Sequence, residues 1–324
     1  MGTKYEELQE QLKANPKKWC VTGAAGFIGS HIVEKLLSLN QNVIGIDNFA
    51  TGFEKNIAAF KSPSFRFIEL DIQNIESSQL EGVDYVLHQA ALGSVPRSIV
   101  DPIKSHESNV SGFIKMLFAA KEAGVRQVVY ASSSSVYGDA AKLPMVEDRL
   151  GELLSPYAAT KKINEVYAQA FTNSYGLNCL GLRYFNVFGP RQDPEGAYAA
   201  VIPRWIQTIL DKKTCEIYGD GETSRDFSYV DNVVQANLLA AVSGIPKGVF
   251  NIACGDKLSL TELYNLIAEE ILGSGFVKPL YKEFRSGDIR HSFADISLAQ
   301  SKLGYSPTVQ AREGIKMTIK SYLN

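Results

Sequence analysis

Tyr157 and Lys161 stand four residues apart in Ser155-Pro-Tyr-Ala-Ala-Thr-Lys161, and Pro156 suits the first turn of a helix. Residues four apart on a helix share a face, so a phenol and an ammonium can address one point. A free tyrosine titrates near ~10 and is a poor base at neutral pH. A neighbouring ammonium stabilises the phenolate and lowers that value, which makes Tyr157 a candidate general base toward a hydroxyl. Taken alone, the pair is as well explained by an exposed helix face. Upstream, Ala131-Ser-Ser-Ser-Ser-Val-Tyr-Gly138 ends an apolar run, residues 128–131, that reads as a strand. Open parallel sheets hold ligands at strand C-termini, so Ser133 is a candidate to share the reacting proton. A plain polar turn is the alternative.

A second constellation lies near the N-terminus. Residues 19–22 run into Gly23-Ala-Ala-Gly26-Phe-Ile-Gly29, and a helical pattern follows. Gly23 suits a tight turn, Gly26 lets a pyrophosphate approach the backbone, and Gly29 lets the helix pack on the strand. The helix N-terminus offers unpaired N–H groups to phosphates. The spacing is Gly-x3, not the commoner Gly-x-Gly, and a glycine turn of no special purpose accounts for an isolated match. No Gly-Lys-Ser/Thr is present, which excludes a P-loop. Asp47 gives the turn its meaning. It follows Gly29 by 18 residues and closes the run Val43-Ile-Gly-Ile-Asp47, where a carboxylate accepts from an adenosine ribose and repels a 2′-phosphate. NAD, not NADP, is the expected cofactor, and its positive nicotinamide would add to Lys161 in acidifying Tyr157. Asp71, closing residues 65–71, is a weaker candidate for the adenine.

These residues need elements to carry them. Short β-branched, aromatic or aliphatic runs fall at residues 19–22, 42–47, 65–70, 85–89, 128–131 and 178–183, with helical patterns at 28–39 and 110–123. Alternating apolar strands and helices indicate a parallel sheet covered on both faces. After Arg183 the rhythm breaks into a loop-rich stretch and shorter mixed segments. The expected fold is α/β: a doubly wound parallel sheet that binds NAD, with a smaller mixed C-terminal substrate domain. The boundaries are 1–186 with 229–254 for the first, and 187–228 with 255–324 for the second. The 324 residues, 45% hydrophobic, can bury such a core.

Composition excludes other classes. With 33 basic and 35 acidic residues there is no excess charge to follow a nucleic acid. No apolar run approaches the roughly 20 residues of a membrane span. The polar N-terminus reads as a short amphipathic helix, not a signal peptide. Cys20, Cys179, Cys215 and Cys254 lack metal-ligand spacing, so no metal is expected; free thiols in a reducing cytoplasm are.

The ordered set of glycine turn, His88-Gln-Ala-Ala91, residues 132–138, residues 155–161 and Arg183-Tyr-Phe-Asn-Val-Phe-Gly-Pro190 resembles the extended short-chain dehydrogenase/reductase family over nearly the whole chain. Ala91-Leu-Gly-Ser-Val-Pro-Arg-Ser98 and Asp47-Asn-Phe-Ala-Thr-Gly52 resemble in particular its bacterial UDP-N-acetylglucosamine 4-epimerase branch, of the type serving O-antigen and Vi-polysaccharide synthesis. The resemblance implies further cofactor contacts from Phe27, Ile28, Asn48, Ile72, Gln89, Ala90, Ala91 and Tyr184, with Asn109 supporting the helix of Tyr157 and Lys161. It implies that Gly93, Ser94, Ser133, Ser134 and Tyr157 contact the substrate and that Asn186 meets the sugar diphosphate. Ala200, Val201, Trp205, Ile217 and Tyr218 would enclose uracil and ribose, Arg225 and Arg285 would hold the pyrophosphate bidentately, and Asp288 a ribose hydroxyl. Homodimers formed through helices near 105–123 and 155–174 are implied as well.

Related dehydratases and decarboxylases place acids in the segment matching the serine run, whereas none stands here between Ala131 and Gly138. Oxidation at C4, rotation of the 4-keto sugar and re-reduction is therefore the expected cycle, with no net redox change. Ser292, seven residues after Arg285, resembles the position where hexose-restricted epimerases carry a tyrosine; a serine leaves room for a 2-acetamido group. A hexosaminuronate is a close alternative, since Arg97, Gln192 and His291 could meet extra polarity. A net reductase on the same scaffold and a non-catalytic NAD-binding protein are the others.

Overall fold

The computed structural model describes residues 2–140, 142–196, 199–284 and 289–323. Seven strands form one parallel sheet: β1 (Lys18–Thr22), β2 (Asn42–Asp47), β3 (Phe65–Glu69), β4 (Tyr85–His88), β5 (Gln127–Ser133), β6 (Asn178–Tyr184) and β7 (Lys247–Ile252). Their order is β7-β6-β5-β4-β1-β2-β3, so the chain turns outward in opposite directions from β1 and β4. At that switch the loops leaving the two strands part and open a crevice at the C-terminal edge.

The strands lie in the interior because both of their faces are apolar. Cys20, Ile44, Val86, Val128, Tyr130 and Cys179 face one core, while Trp19, Val21, Val43, Leu87, Val129 and Leu180 face the other. This alternation across near-continuous apolar runs is what a doubly covered sheet requires. The longer helices are α1 (Lys4–Ala14), α2 (Phe27–Ser38), α3 (Gly112–Glu122), α4 (Pro156–Tyr175), α5 (Val201–Leu210), α6 (Val230–Val242), α7 (Leu260–Leu272) and α8 (Ala311–Leu323). The expected N-terminal helix is present as α1, capped by Thr3 and Glu6 and seated by Leu8 and Leu12. None of the helices among the described residues is long and apolar enough to cross a membrane.

The rhythm that breaks after Arg183 in the sequence returns in space, where α6 and β7 complete the sheet beside β6. A third core, built from Trp205, Ile206, Ile217, Leu263, Ile267 and Ile315, joins α5, α7 and α8. Short strands Ser224–Arg225, Leu258–Ser259 and His291–Ser292 pair next to it. All four cysteines are free; Cys20, Cys179 and Cys215 are buried and Cys254 is half-buried.

Candidate active site

The glycine turn follows β1 directly. Gly23 has φ +67°, and a Cβ there would stand 2.8 Å from the Ala90 nitrogen. A side chain at Gly29 would overlap the Gly23 carbonyl oxygen, so α2 reaches the turn only because residue 29 has none. Gly26 is the N-cap of α2 and supplies no side chain to its free N–H groups. Gly23, Gly26 and the first residues of α2, Phe27 to Gly29, line the crevice, so a helix N-terminus without a capping side chain borders it, which is the arrangement a pyrophosphate fits.

Asp47 is buried at the end of β2 and is partly committed to the protein. Its Oδ2 accepts from the Ala25 nitrogen at 2.9 Å and its Oδ1 from the Phe49 nitrogen at 2.8 Å. The carboxylate thus ties the glycine turn to the β2 end, a role its spacing does not reveal, and each oxygen keeps acceptor capacity for a ribose hydroxyl. Asp71 caps the short turn Ile72–Asn74 and accepts from Asn48 Nδ2 at 2.8 Å.

These residues line a cleft of about 610 Å³ that continues to the ends of β4, β5 and β6. Gly23, Gly26, Phe27, Ile28, Gly29, Asp47, Asn48, Asp71, Ile72, Gln89, Ala90, Ala91, Gly93, Ser133, Ser134, Tyr157, Lys161, Tyr184 and Asn186 all stand in its wall. Residues separated by more than 150 positions are thereby brought to one surface. Thr51, Gln73, Lys104, Glu107 and Ser108 also line it. Sequence reasoning missed them because three come from a helical segment whose spacing reports only its buried face.

Tyr157 and Lys161 lie in the first turns of α4, which Ser155 caps by accepting from the Ala158 nitrogen. The Tyr157 phenol faces Ser133, and its pKa is pushed above the usual tyrosine value by burial, which the Ser133 contact partly offsets. Lys161 is buried as well, and burial lowers its ammonium to about 8. Its Nζ donates to the Ala131 carbonyl at 2.8 Å and stands 5.9 Å from the Tyr157 ring centre. The expectation that Lys161 acidifies the phenol is therefore corrected for the protein by itself: the ammonium is tethered to β5, and desolvation dominates the phenol. His88, at the end of β4, bonds Thr22 Oγ1 through Nδ1 at 2.8 Å and is held down to about 3 by burial, with the Lys161 charge adding to it.

Asn109 does not line the cleft but braces it. It sits in Glu107–Ser111, which winds as a π-helix, a departure common near functional sites. Its Oδ1 accepts from the Leu92 nitrogen at 2.7 Å, and its Nδ2 donates to the Leu92 carbonyl and to Thr160 Oγ1, both at 3.2 Å. Tyr184 donates to Gln89 Oε1 at 3.1 Å and accepts from Asn237 Nδ2 at 2.8 Å, and Gln89 Nε2 donates to Asn237 Oδ1 at 3.0 Å. Asn237, distant in sequence on α6, carries no motif that could have announced it.

The remaining candidates are placed less uniformly. Ser94 caps the short helix Val95–Val100 by accepting from the Arg97 nitrogen. Ala200 and Val201 open α5, and Tyr218 is half-buried on a short strand. Trp205 and Ile217 are 2% and 0% exposed and pack into the third core, so their side chains do not form a ligand wall. Their apolar character is spent on seating α5 against α7. Asn186 holds the Asp226 carbonyl through Nδ2 at 2.8 Å, and Arg225 Nη1 donates to the Ser224 and Arg290 carbonyls. Ser292 is buried with its hydroxyl 4.0 Å from Met145 Sδ. Arg285 and Asp288 lie outside the described residues.

Comparison with known proteins follows the same geometry. Residues 19–253 match the model of the NAD dependent epimerase/dehydratase family. A UDP-glucose 4-epimerase of Mycolicibacterium smegmatis is 38% identical over 312 residues, covering 94% of this chain and 98% of that one. A UDP-glucuronate 4-epimerase of Thermodesulfobacterium geofontis is 32% identical, covering 93% and 94%. Among solved structures, a UDP-N-acetylglucosamine 4-epimerase from Methanobrevibacter ruminantium, in complex with UDP-N-acetylmuramic acid, has a TM-score of 0.90 at 39% identity, covering 95% and 98%. A UDP-glucose 4-epimerase of Thermus thermophilus in complex with NAD has a TM-score of 0.83 at 32% identity, covering 95% and 99%.

Proposed function

The chain belongs to the NAD dependent epimerase/dehydratase family, and from that premise we propose that it inverts C4 of a UDP-linked sugar, with UDP-N-acetylhexosamines as its substrates. It is an NAD-dependent isomerase. One observation carries the reading: Ser133, Tyr157 and Lys161 converge at one end of the cleft whose other end is the glycine turn and Asp47. When bound, NAD supplies a reversible hydride acceptor and a positive charge beside the phenol.

The protein's own residues supply the rest. Tyr157 takes the proton of the C4 hydroxyl and returns it after the ring has turned, and Ser133, which faces the phenol, shares that proton. Burial raises the phenol in the protein alone, so the depression that makes it a base at neutral pH depends on positive charge brought into the cleft. Lys161, held to Ala131, keeps a cation on the same side. Among the described residues the carboxylates of the cleft wall are Asp47, Asp71 and Glu107, none of them on the β5 end. The absence of an acid between Ala131 and Gly138 favours oxidation and re-reduction over elimination.

Arg225 and Arg285 would anchor the diphosphate while the 4-keto sugar rotates, and Asp288 a ribose hydroxyl. The N-acetylated substrate is supported by Ser292, which is small where bulk would crowd a 2-acetamido group, and by the likeness to the Methanobrevibacter enzyme. Residues 1–186 with 229–254 would form the cofactor domain, and 187–228 with 255–324 the substrate domain. A homodimer through α3 and α4 is supported by Phe118, Val166 and Tyr175, which are 52%, 57% and 53% exposed there. Incubating the purified protein with UDP-N-acetylglucosamine, UDP-glucose and UDP-glucuronate separately, with chromatography and NMR of the products, tests the reading. A C4 isomer of the first, formed without consuming free NADH, is expected. Turnover of the glucuronate alone would replace the N-acetylhexosamine by an acidic sugar.

A further inference from the structure

Three consecutive residues at the end of β5 are each fixed to one stripe of α4. The Ala131 carbonyl accepts from Lys161 Nζ at 2.8 Å, the Ser132 hydroxyl donates to Glu165 Oε1 at 2.8 Å, and Ser133 faces the Tyr157 phenol in the cleft wall. Positions 157, 161 and 165 recur every four residues, so they share a helix face. Glu165 is clamped in turn by β6. Arg183 Nε donates to its Oε1 at 2.8 Å and Arg183 Nη2 to its Oε2 at 2.9 Å, while Lys162 Nζ lies 3.2 Å from Oε2. Arg183 is the register partner of Ser132 on the neighbouring strand. Its last nitrogen, Nη1, donates to the Glu147 carbonyl at 2.9 Å, and its guanidinium lies over the Tyr137 ring.

Burial opposes ionisation of Glu165, yet its carboxyl stays below the usual range because the Arg183 and Ser132 bonds outweigh that cost. A buried ion pair adds little net stability over an apolar pair of the same shape. What a bidentate, fully bonded pair does supply is a fixed geometry. Glu165 itself stands outside the cleft wall, so it acts only through what it holds.

We infer that Ser132 and Glu165, braced by Arg183, are positioning residues that set the register of α4 against β5 and so keep the Tyr157 phenol on Ser133. One residue of helix is ~1.5 Å of rise, and a misplacement of about 1 Å at reacting groups costs on the order of 100-fold. Ser132 borders the cleft, but its hydroxyl is turned to Glu165, so the tether matters to rate through the groups it holds.

The test is steady-state kinetics with UDP-N-acetylglucosamine on the holoenzyme. Ser132→Ala removes the hydroxyl and leaves the Arg183–Glu165 pair intact. The expected result is a roughly tenfold fall in kcat, about 1.4 kcal/mol, with KM and bound NAD unchanged. The rising limb of the kcat–pH profile should move to higher pH as Ser133 loosens from the phenol, and Ser132→Thr should restore both. Glu165→Gln reads the same limb from the helix side. A lowered unfolding midpoint with kcat and limb in place would show a purely structural contact and overturn the inference, as would equal loss in Ser132→Thr. Because the inference rests on Tyr157 as the base, Tyr157→Phe is measured alongside. Turnover retained there sinks the base, whereas turnover lost there with an unshifted Ser132→Ala profile sinks only the positioning.

Discussion

A phenol buried beside a serine, with its nearest ammonium turned to a backbone carbonyl, is a base only in company. Tyr157→Phe keeps the ring that fills the site and removes the proton carrier, so UDP-sugar binding should persist while turnover falls by about 10²–10⁴-fold. Calorimetric titration with UDP, set against product formation, checks this; unchanged turnover would dismiss Tyr157 from its role. Ser292 is the residue on which substrate choice is argued. It lies buried against Met145 on a strand that runs in register with Arg225, so a larger side chain must displace Met145 or shift that strand. Ser292→Tyr should suppress kcat/KM for the N-acetylated sugar at least tenfold more than for UDP-glucose, in line with steric exclusion worth a few kcal/mol. Equal loss on both would assign Ser292 to packing alone.

At the scale of elements, the cofactor cradle depends on how closely α2 meets the turn after β1. Gly29→Ala would press a methyl group into the Gly23 carbonyl, which is backbone and cannot rotate away. The expected outcome is a folded protein that copurifies with several-fold less NAD, read from absorbance after denaturation; full NAD content would mean that α2 slides without opening the turn. The π-helical stretch at Asn109 is the companion device on the other side. It points one amide at both Leu92 and Thr160 and so couples the loop after β4 to the helix of the base.

At the scale of the whole molecule, His88 links stability to pH. Burial holds it down to about 3, against about 6.5 for an unfolded chain. Between those values the unfolded chain binds the extra proton, so the stability His88 contributes is complete above about pH 6.5 and is lost as the pH falls toward 3. His88→Gln should therefore narrow the difference between urea midpoints at pH 7 and pH 5; an unaltered difference would mean that other groups govern that window. Assembly belongs to this scale too. Phe118 and Val166 are apolar and exposed on α3 and α4, and charging both, as Phe118→Glu with Val166→Glu, should shift the molar mass in light scattering from dimer to monomer. A wild-type protein that already runs as a monomer would end that proposal.

Much of this was legible in the chain. The glycine turn, Asp47, the serine run and the Tyr157/Lys161 pair are local patterns, because a turn, a strand end and a helix face each write their requirements within a few residues. Their order along the chain also indicates a doubly wound sheet, since apolar runs alternating with helical periods leave few other ways to bury both faces. What the chain could not show is which distant groups hold those patterns in place. Asn237 beneath Gln89, Arg183 and Glu165 behind Ser132, and the backbone donors on Asp47 meet only after the sheet has closed. The same holds for Trp205 and Ile217, whose side chains went to a core and not to a ligand wall. Side-chain destination and protonation depend on desolvation and on partners supplied by other strands, and those exist only in the folded protein.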